Sequence, residues 1–112
     1  MNWGHEIAWF FGGAFLTNAL PHWLAGLMGR PFQSPFAKPP GQGLSSSAVN
    51  VLWGFANFAA AYFLLLHVGH FDLYAGSDIA APALGGLLMA LHAARHFGQF
   101  HGGNEPLGKS PS

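Results

Sequence analysis

Apolar residues dominate three stretches of the chain, and each stretch has the length of a membrane-spanning helix. The stretches cover residues 7–28, 48–68 and 79–97; the first two hold no charged side chain, and the third holds only Arg95. A helix needs roughly 20 mostly apolar residues to cross a hydrocarbon core of about 30 Å. A water-facing helix would carry a charged face, which these stretches lack. The pattern predicts an all-α protein of three transmembrane helices.

Helix-start signals mark the second and third stretches. The serines at 45–47 precede the second, and a serine hydroxyl at this position caps the free N–H groups of a helix. Pro82 falls in the first turn of the third, where its missing N–H costs little. We expect one integral membrane domain over residues 1–101 and a disordered cytoplasmic tail over 102–112, which is rich in Gly, Pro and polar residues.

The composition agrees with residence in the lipid bilayer. Charged residues make up 7% of the chain, against about a quarter in soluble domains, whereas 51% of its residues are hydrophobic. The formal net charge of zero supplies no basic field, so we expect no nucleic-acid partner. The absence of cysteine excludes disulfides, thiolate metal sites and cysteine nucleophiles.

The charges predict an orientation. Two basic residues, Arg30 and Lys38, lie between the first two stretches, and two more, Arg95 and Lys109, lie at the end of the third or beyond it. The positive-inside rule then puts the N-terminus outside and the C-terminus in the cytoplasm. The residues before the first stretch include no Lys or Arg, so we expect no cleaved signal peptide and a multi-pass protein of the cell inner membrane.

The first connecting loop is rich in proline. Its spacing predicts a stiff, extended connector with Phe32 and Phe36 resting on the membrane surface; a docking segment for a cytoplasmic partner is the alternative. Residues 18–54 (NALPHWLAGLMGRPFQSPFAKPPGQGLSSSAVNVLWG) resemble a recurring segment of small bacterial multi-pass membrane proteins of unassigned function. The resemblance implies membrane residence and supplies no reaction, ligand or catalytic residue.

Polar side chains collect at one depth near the cytoplasmic side. His22 and His92 each lie about six residues before the cytoplasmic end of their helix, and polar groups inside a membrane usually serve a purpose. Pro21 is expected to kink the first helix beside them. The candidate ligand or proton site comprises Asn18, His22, Asn50, His92 and His96. Interhelical hydrogen bonding, metal or haem ligation, and a transport or proton relay are the open interpretations.

A second set of histidines lies on the opposite side. His67, His70 and Asp72 form a weak candidate site for aqueous zinc or copper, and exposed interfacial histidines without a ligand are an equal alternative. The spellings HVGH and HAARH resemble di-iron boxes, but the predicted topology places them on opposite sides of the membrane. We therefore expect no enzyme activity.

Small residues form a stripe on the third helix. Gly86, Ala90 and Ala94 follow the small-xxx-small spacing through which membrane helices pack closely. The stripe predicts a homo-oligomer or a place in a larger membrane complex. The sequence thus favours a non-enzymatic accessory or oligomeric membrane subunit, with a metal-, haem- or proton-handling protein as the alternative and the cofactor, if any, unidentified.

Overall fold

Three long helices make up most of the protein. The computed structural model describes residues 2–107, with helices α1 (Trp3–Leu27), α2 (Ser47–Tyr62) and α3 (Ala80–His101). A π-helical segment, Phe63–Val68, continues α2, and a 3-10 turn, Gly76–Ile79, precedes α3. The all-α prediction is confirmed. Of the predicted tail, residues 108–112 lie outside the described residues.

Local side chains define the helix ends. The Asn2 side-chain oxygen accepts a hydrogen bond from the His5 backbone N–H at 3.0 Å, and the Ser46 hydroxyl accepts one from Val49 N–H at 3.2 Å. These contacts satisfy N–H groups that the first turns of α1 and α2 leave free. Gly102, with φ of 85°, ends α3 in the left-handed conformation that glycine adopts without strain.

Helix α1 is the centre of the bundle. Both α2 and α3 pack against it and make few contacts with one another. Gly26, near the end of α1, lies against Ser47 at the start of α2, and Gly12, nearer the start of α1, lies against Leu65 in the π-helical segment, so these two helices are antiparallel. The rings of His22 and Phe97, both near the C-terminal ends of α1 and α3, lie 5.7 Å apart, so α1 and α3 are parallel.

Glycines allow backbone-to-backbone contact between α1 and α3. A β-carbon on Gly13 would overlap the carbonyl group of Pro82, and one on Gly85 would overlap the carbonyl oxygen of Phe10. Close approach of this kind is the main source of packing energy between helices in lipid. Gly86 also lies against α1, beside Thr17, whereas Ala90 and Ala94 are exposed. Of the predicted stripe, Gly86 thus packs on α1 of its own bundle, and a role of Ala90 and Ala94 in contacts with a second subunit stays a prediction.

The buried side chains of the bundle are mostly small or polar, and many large apolar side chains are exposed. Among residues 2–107, six polar residues are buried: His22, Gln33, Ser34, Ser45, Asn50 and Asn57. The buried apolar side chains are five alanines and Trp9. Exposed apolar residues occur along all three helices and include Ile7, Leu16, Leu20, Leu24, Leu52, Phe55, Leu84, Leu87 and Leu91. Large apolar side chains of this kind are most often buried in proteins whose surface faces water.

Only one helix in the described part of the chain is both long and apolar enough to qualify as a membrane span by composition. It is the continuous helix Ser47–Val68, and the core helix of a soluble protein can pass the same test. Helices α1 and α3 have sufficient length but do not pass the test of composition; their polar residues include Asn18 and His22 in α1 and His92 and His96 in α3. Length and composition thus identify one candidate span where the sequence predicts three.

The first connecting loop is folded rather than extended. Strands β1 (Phe32–Gln33) and β2 (Leu44–Ser45) pair antiparallel, and the Ser34 carbonyl accepts a hydrogen bond from Gly41 N–H at 2.8 Å. Phe32 packs inward on α1 and α3, whereas Phe36 is exposed. The expectation of an extended connector is therefore wrong, because buried polar side chains draw the loop onto the end of the bundle.

Candidate functional site

A polar cavity of about 210 Å³ lies near the C-terminal ends of α1 and α3 and the start of α2. Helix α1 contributes Asn18 and His22, α2 contributes Trp53, and α3 contributes His92 and His96. The folded loop closes one side with Gln33, Ser34, Pro35 and Gly41. Four of the five residues in the predicted site thus line one cavity, and the fifth, Asn50, bonds to His22 behind it.

The hydrogen bond between His22 and Asn50 determines which ring nitrogen of His22 is engaged. Nδ1 of His22 lies 2.9 Å from Oδ1 of Asn50, and both side chains are buried. An amide oxygen can only accept, so Nδ1 carries the proton and donates it. In the neutral ring Nε2 is then an acceptor, and it has no hydrogen-bond partner among residues 2–107.

Asn50 also holds the loop on the bundle. Its amide nitrogen lies 3.1, 3.2 and 3.0 Å from the backbone carbonyl oxygens of Phe32, Ser45 and Ser46, and its two N–H groups are shared among these three acceptors. Asn50 is fully buried, so its amide N–H groups find in these carbonyls the acceptors that water would otherwise supply. One side chain therefore connects α2 with α1 and with both ends of the loop.

Asn18 takes part in a second interhelical hydrogen bond. Its amide nitrogen donates to Oδ1 of the buried Asn57 at 3.0 Å, and the Asn57 amide donates to the Trp53 carbonyl at 2.8 Å. These contacts fit the interpretation of the polar residues as hydrogen bonds between helices. Asn18 also lines both the polar cavity and a second cavity between α1 and α3.

The two histidines of α3 have different surroundings. Nε2 of His96 donates to the Gly41 carbonyl at 2.6 Å, and Nδ1 accepts a 3.5 Å contact from the Gln99 amide. Both nitrogens of His96 are thus engaged. The ring of His92 stacks on that of His96, with centroids 6.1 Å apart, and its nitrogens have no hydrogen-bond partner within the described chain.

Other residues at this end of the bundle were not predicted from the sequence. Nε2 of His101 donates to Oε1 of the buried Gln33 at 2.8 Å, and its ring stacks on Phe32 with centroids 5.1 Å apart. Phe32 and Phe97 also pack edge-on against the His22 ring. The four-residue spacing of Phe97 and His101 indicates a shared helix face, but nothing in the sequence pairs that face with a loop 68 positions away.

The residues of the second predicted set, His67, His70 and Asp72, make separate contacts. The ring of His70 lies 5.7 Å from that of His5, whereas His67 stacks on Phe63. Asp72 accepts a hydrogen bond from Tyr74 N–H at 2.9 Å. His67, His70 and Asp72 do not form a metal-binding group, so the structure does not bring this weak candidate set together.

The polar cavity has few of the features of a metal site. In the described part of the chain, no three His, Asp or Glu side chains are grouped closely enough to hold a metal ion. His96 is committed to the loop, which leaves Nε2 of His22 and the ring of His92 as the available imidazole nitrogens. The arrangement suits hydrogen bonding to a neutral ligand better than it suits a multi-ligand metal centre.

Comparison with known proteins finds no relative. No family model, curated protein or solved structure matches this chain. The resemblance of residues 18–54 to small bacterial membrane proteins therefore stays a prediction. Conclusions about function rest on the geometry of the chain itself.

Proposed function

We propose that the protein is a three-helix integral membrane protein of the cell inner membrane, with its N-terminus outside and its C-terminus in the cytoplasm. In this proposal it is a non-enzymatic accessory or oligomeric subunit. Its inner cavity and folded loop face the cytoplasmic side, and its apolar exterior faces lipid.

The observation that carries the proposal is the reversed distribution of polarity. Exposed leucine, isoleucine and phenylalanine side chains cover all three helices, whereas histidine and asparagine are buried between them. In water such a surface would be a severe aggregation liability; in lipid it is the solvated surface. The residues that lower the average hydropathy of α1 include Gly12, Gly13 and His22, which face inward and meet no lipid.

Length and burial support the same proposal. Helices α1 and α3 have 25 and 22 residues. At 1.5 Å per residue they measure about 37 and about 33 Å, sufficient for a hydrocarbon core of about 30 Å. In the most apolar part of Ser47–Val68 only 17% is buried within the fold, whereas the core helix of a soluble protein would be mostly buried. Arg95, the charged residue within α3, is exposed near its cytoplasmic end and can snorkel.

Labelling of introduced cysteines tests the topology. The chain has no cysteine, so single substitutions have no background. We expect Tyr74→Cys, at a position 96% exposed in the loop before α3, to react with a membrane-impermeant maleimide in intact cells. Gln42→Cys, exposed in the folded loop, is expected to react only after permeabilisation. The reverse pattern would contradict the orientation, and equal labelling of both in a soluble fraction would contradict membrane residence.

Self-association is the second part of the proposal. Ala90 and Ala94 are exposed on one side of α3 and line a groove of about 480 Å³ whose wall includes Leu20 and Pro21 of α1. Small residues let a neighbouring helix approach to close contact, which lipid tails cannot match in packing density. These exposed alanines support a homo-oligomer formed through this groove.

A bulky substitution at Ala90 tests the proposed self-association. We expect Ala90→Trp to lower the oligomeric mass measured by light scattering in detergent, because the indole would hold a second helix away. Leu91→Trp is the matched control, since Leu91 is 60% exposed on α3 but does not line the groove. An unchanged mass for Ala90→Trp, or an equal fall for both variants, would contradict an interface at this groove.

A metal-, haem- or proton-handling role is the second candidate. One observation favours it: His22, His92 and His96 line the same cavity. The engagement of both His96 nitrogens weighs against a three-histidine metal site, whereas a proton relay needs no metal. A stoichiometric metal or a Soret band in the purified protein would support ligation, and a colourless, metal-free protein would remove that part of the candidate.

A further inference from the structure

Two imidazole rings meet at the end of the bundle opposite the polar cavity. His5 lies in the first turn of α1, His70 follows the π-helical segment, and their ring centroids are 5.7 Å apart. Neither side chain makes a hydrogen bond within the part of the chain that the structure describes. His70 is exposed and His5 is partly exposed, so water reaches both. Free imidazole nitrogens are the commonest protein ligands of metal ions.

Trp9 holds the two histidines side by side. It follows His5 by one helical turn and lies on the same face of α1. Its Nε1 donates a hydrogen bond to the Gly69 carbonyl at 2.8 Å, and both residues are buried. A β-carbon on Gly69 would overlap the Trp9 ring, so the two segments are in close contact. Because His70 is the next residue, the backbones that carry both imidazoles are already positioned without a ligand.

The backbone of His70 has an uncommon conformation. Its φ is 50°, and it is the only non-glycine residue with a positive φ in the described chain. Residues held in this region cluster at functional sites. The N–H groups of its neighbours Gly69 and Phe71 donate to the carbonyls of Leu64 and Leu65, at 3.0 and 2.7 Å. These bonds end the helix without the His70 side chain, which leaves its imidazole available.

The spacing of the two rings suits a shared metal ion. Imidazole nitrogens bind zinc at about 2.0–2.1 Å, so two rings on one ion have centres roughly 5–6.5 Å apart. The observed 5.7 Å falls within this range. The ring planes are inclined by 69°, and rotation of the exposed His70 side chain can turn a nitrogen towards the ion while the backbone stays in place. Imidazole favours Zn²⁺ and Cu²⁺, whereas Mg²⁺ and Ca²⁺ prefer oxygen ligands.

The charges at this end of the bundle favour a cation. Glu6, Asp72 and Asp78 all belong to it, and no Lys or Arg occurs within residues 2–29 or 39–94. The carboxylates of Asp72 and Asp78 accept backbone N–H groups of their own loop, at 2.9 and 3.4 Å. No three His, Asp or Glu side chains are grouped closely enough to hold an ion within the described residues. The acids therefore attract a cation to this surface, and the two imidazoles are left to bind it.

We propose that His5 and His70 bind a divalent cation of the zinc and copper class on the side of the protein that carries its N-terminus. The ion joins the start of α1 to the end of the continuous helix Ser47–Val68. Water fills its remaining coordination positions, so the ion exchanges more readily than one in a closed structural site with four protein ligands. The site is separate from the polar cavity, and its existence does not depend on self-association.

Calorimetric titration of the full chain tests the proposal. The protein is purified in a zwitterionic detergent and without a histidine tag, so that neither head groups nor a tag bind the metal. The probes are ZnCl₂, CuCl₂ and MgCl₂. We expect one bound ion per chain for Zn²⁺ and for Cu²⁺, tighter binding of Cu²⁺, as the general order of divalent affinities requires, and no binding of Mg²⁺.

Three single variants locate the ion. We expect His5→Gln and His70→Asn each to weaken Zn²⁺ binding about tenfold or more, because each leaves one imidazole. Asparagine is chosen at position 70 because it tolerates a positive φ. His67→Gln is the matched control and should bind Zn²⁺ as the unchanged chain does, since His67 is exposed at the same end but stacks on Phe63. Far-ultraviolet circular dichroism should be the same for all three variants.

Three results would overturn the proposal. Full Zn²⁺ affinity in both His5→Gln and His70→Asn would place the ion elsewhere, for example at the histidines of the polar cavity. An equal loss of affinity in His67→Gln would show that the pair has no special role. Binding of Mg²⁺ as tight as that of Zn²⁺ would assign the ion to the carboxylates. If His70→Asn does not fold, the result for His5→Gln decides, because His5 has ordinary helical backbone.

Discussion

Gly85→Ala is expected to separate α3 from α1 and to lower the free energy of unfolding by about 3 kcal/mol or more. The added methyl group would overlap the carbonyl oxygen of Phe10, which belongs to a helix backbone and cannot rotate away. Gly13 of α1 is packed equally closely against the Pro82 carbonyl of α3, so α3 cannot slide along α1 to relieve the overlap. Unfolding in mixed micelles by SDS titration, followed by circular dichroism, measures the loss.

The neighbouring glycine provides the control. A methyl group on Gly86 would lie 3.0 Å from the Thr17 hydroxyl, which can turn aside, and 3.6 Å from the Gly13 carbonyl oxygen. Gly86→Ala should therefore change the free energy of unfolding by less than about 1 kcal/mol. Equal losses for the two variants would show that α3 does not pack on α1 through Gly85. Failure to recover folded Gly85→Ala together with a normal Gly86→Ala would agree with the prediction.

Asn50→Leu is expected to lower the free energy of unfolding by about 2–4 kcal/mol. Leucine has a similar volume but leaves Nδ1 of His22 without its acceptor and removes the side-chain donor to the carbonyls of Phe32 and Ser45. The Ser46 carbonyl keeps its hydrogen bond from the backbone N–H of residue 50. A second consequence is loss of the folded loop, because Asn50 holds the carbonyls of Phe32 and Ser45 at its two ends. Hydrogen exchange of the Gly41 amide, bonded to Ser34 in the folded loop, should accelerate.

A control at an exposed asparagine and a double-mutant cycle test whether the loss of stability in Asn50→Leu comes from the hydrogen bonds of Asn50. Asn104→Leu removes one hydrogen bond, to the Arg95 carbonyl at 2.8 Å, and should cost less than about 1 kcal/mol. The losses for Asn50→Leu and His22→Phe should not be additive, because the two residues share a bond. Additive losses, or an unchanged rate of exchange at Gly41, would contradict the role assigned to Asn50.

The sequence indicates where the helices lie more directly than it indicates which helices span a membrane. Small and polar residues that face inward lower the average hydropathy of a helix whose exposed side is apolar. The approximate positions of α1, α2 and α3 follow from apolar runs, and the serine cap before α2 is a local signal. The caps at Asn2 and Gly102, which extend α1 and α3 beyond the predicted bounds, were identified in the structure. An average over α1 counts Gly13 and His22 as polar even though they face the interior. Only the packed structure tells inward from outward residues, because periodicity alone does not identify which face meets another helix.

The candidate site could be predicted in part. The depth of His22 and His92 follows from helix direction and distance to the helix end, so the sequence could group them without any contact information. Trp53 could not be singled out, because its place in the wall of the cavity is a property of its surroundings rather than of its spacing. The roles of His96 and His101 were also inaccessible, since both bond to a loop more than 50 residues away.

The sequence by itself determined that the protein is all-α, the approximate extent of three helices, and the level at which histidine and asparagine collect. These features depend on composition, on helix geometry and on capping, all of which act within a few residues. The tertiary structure decided that Gly86 packs on α1, that the proline-rich loop folds over the end of the bundle, and that Trp53 and His22 share one cavity. Those outcomes depend on hydrogen bonds and close contacts between distant residues, which no local pattern encodes.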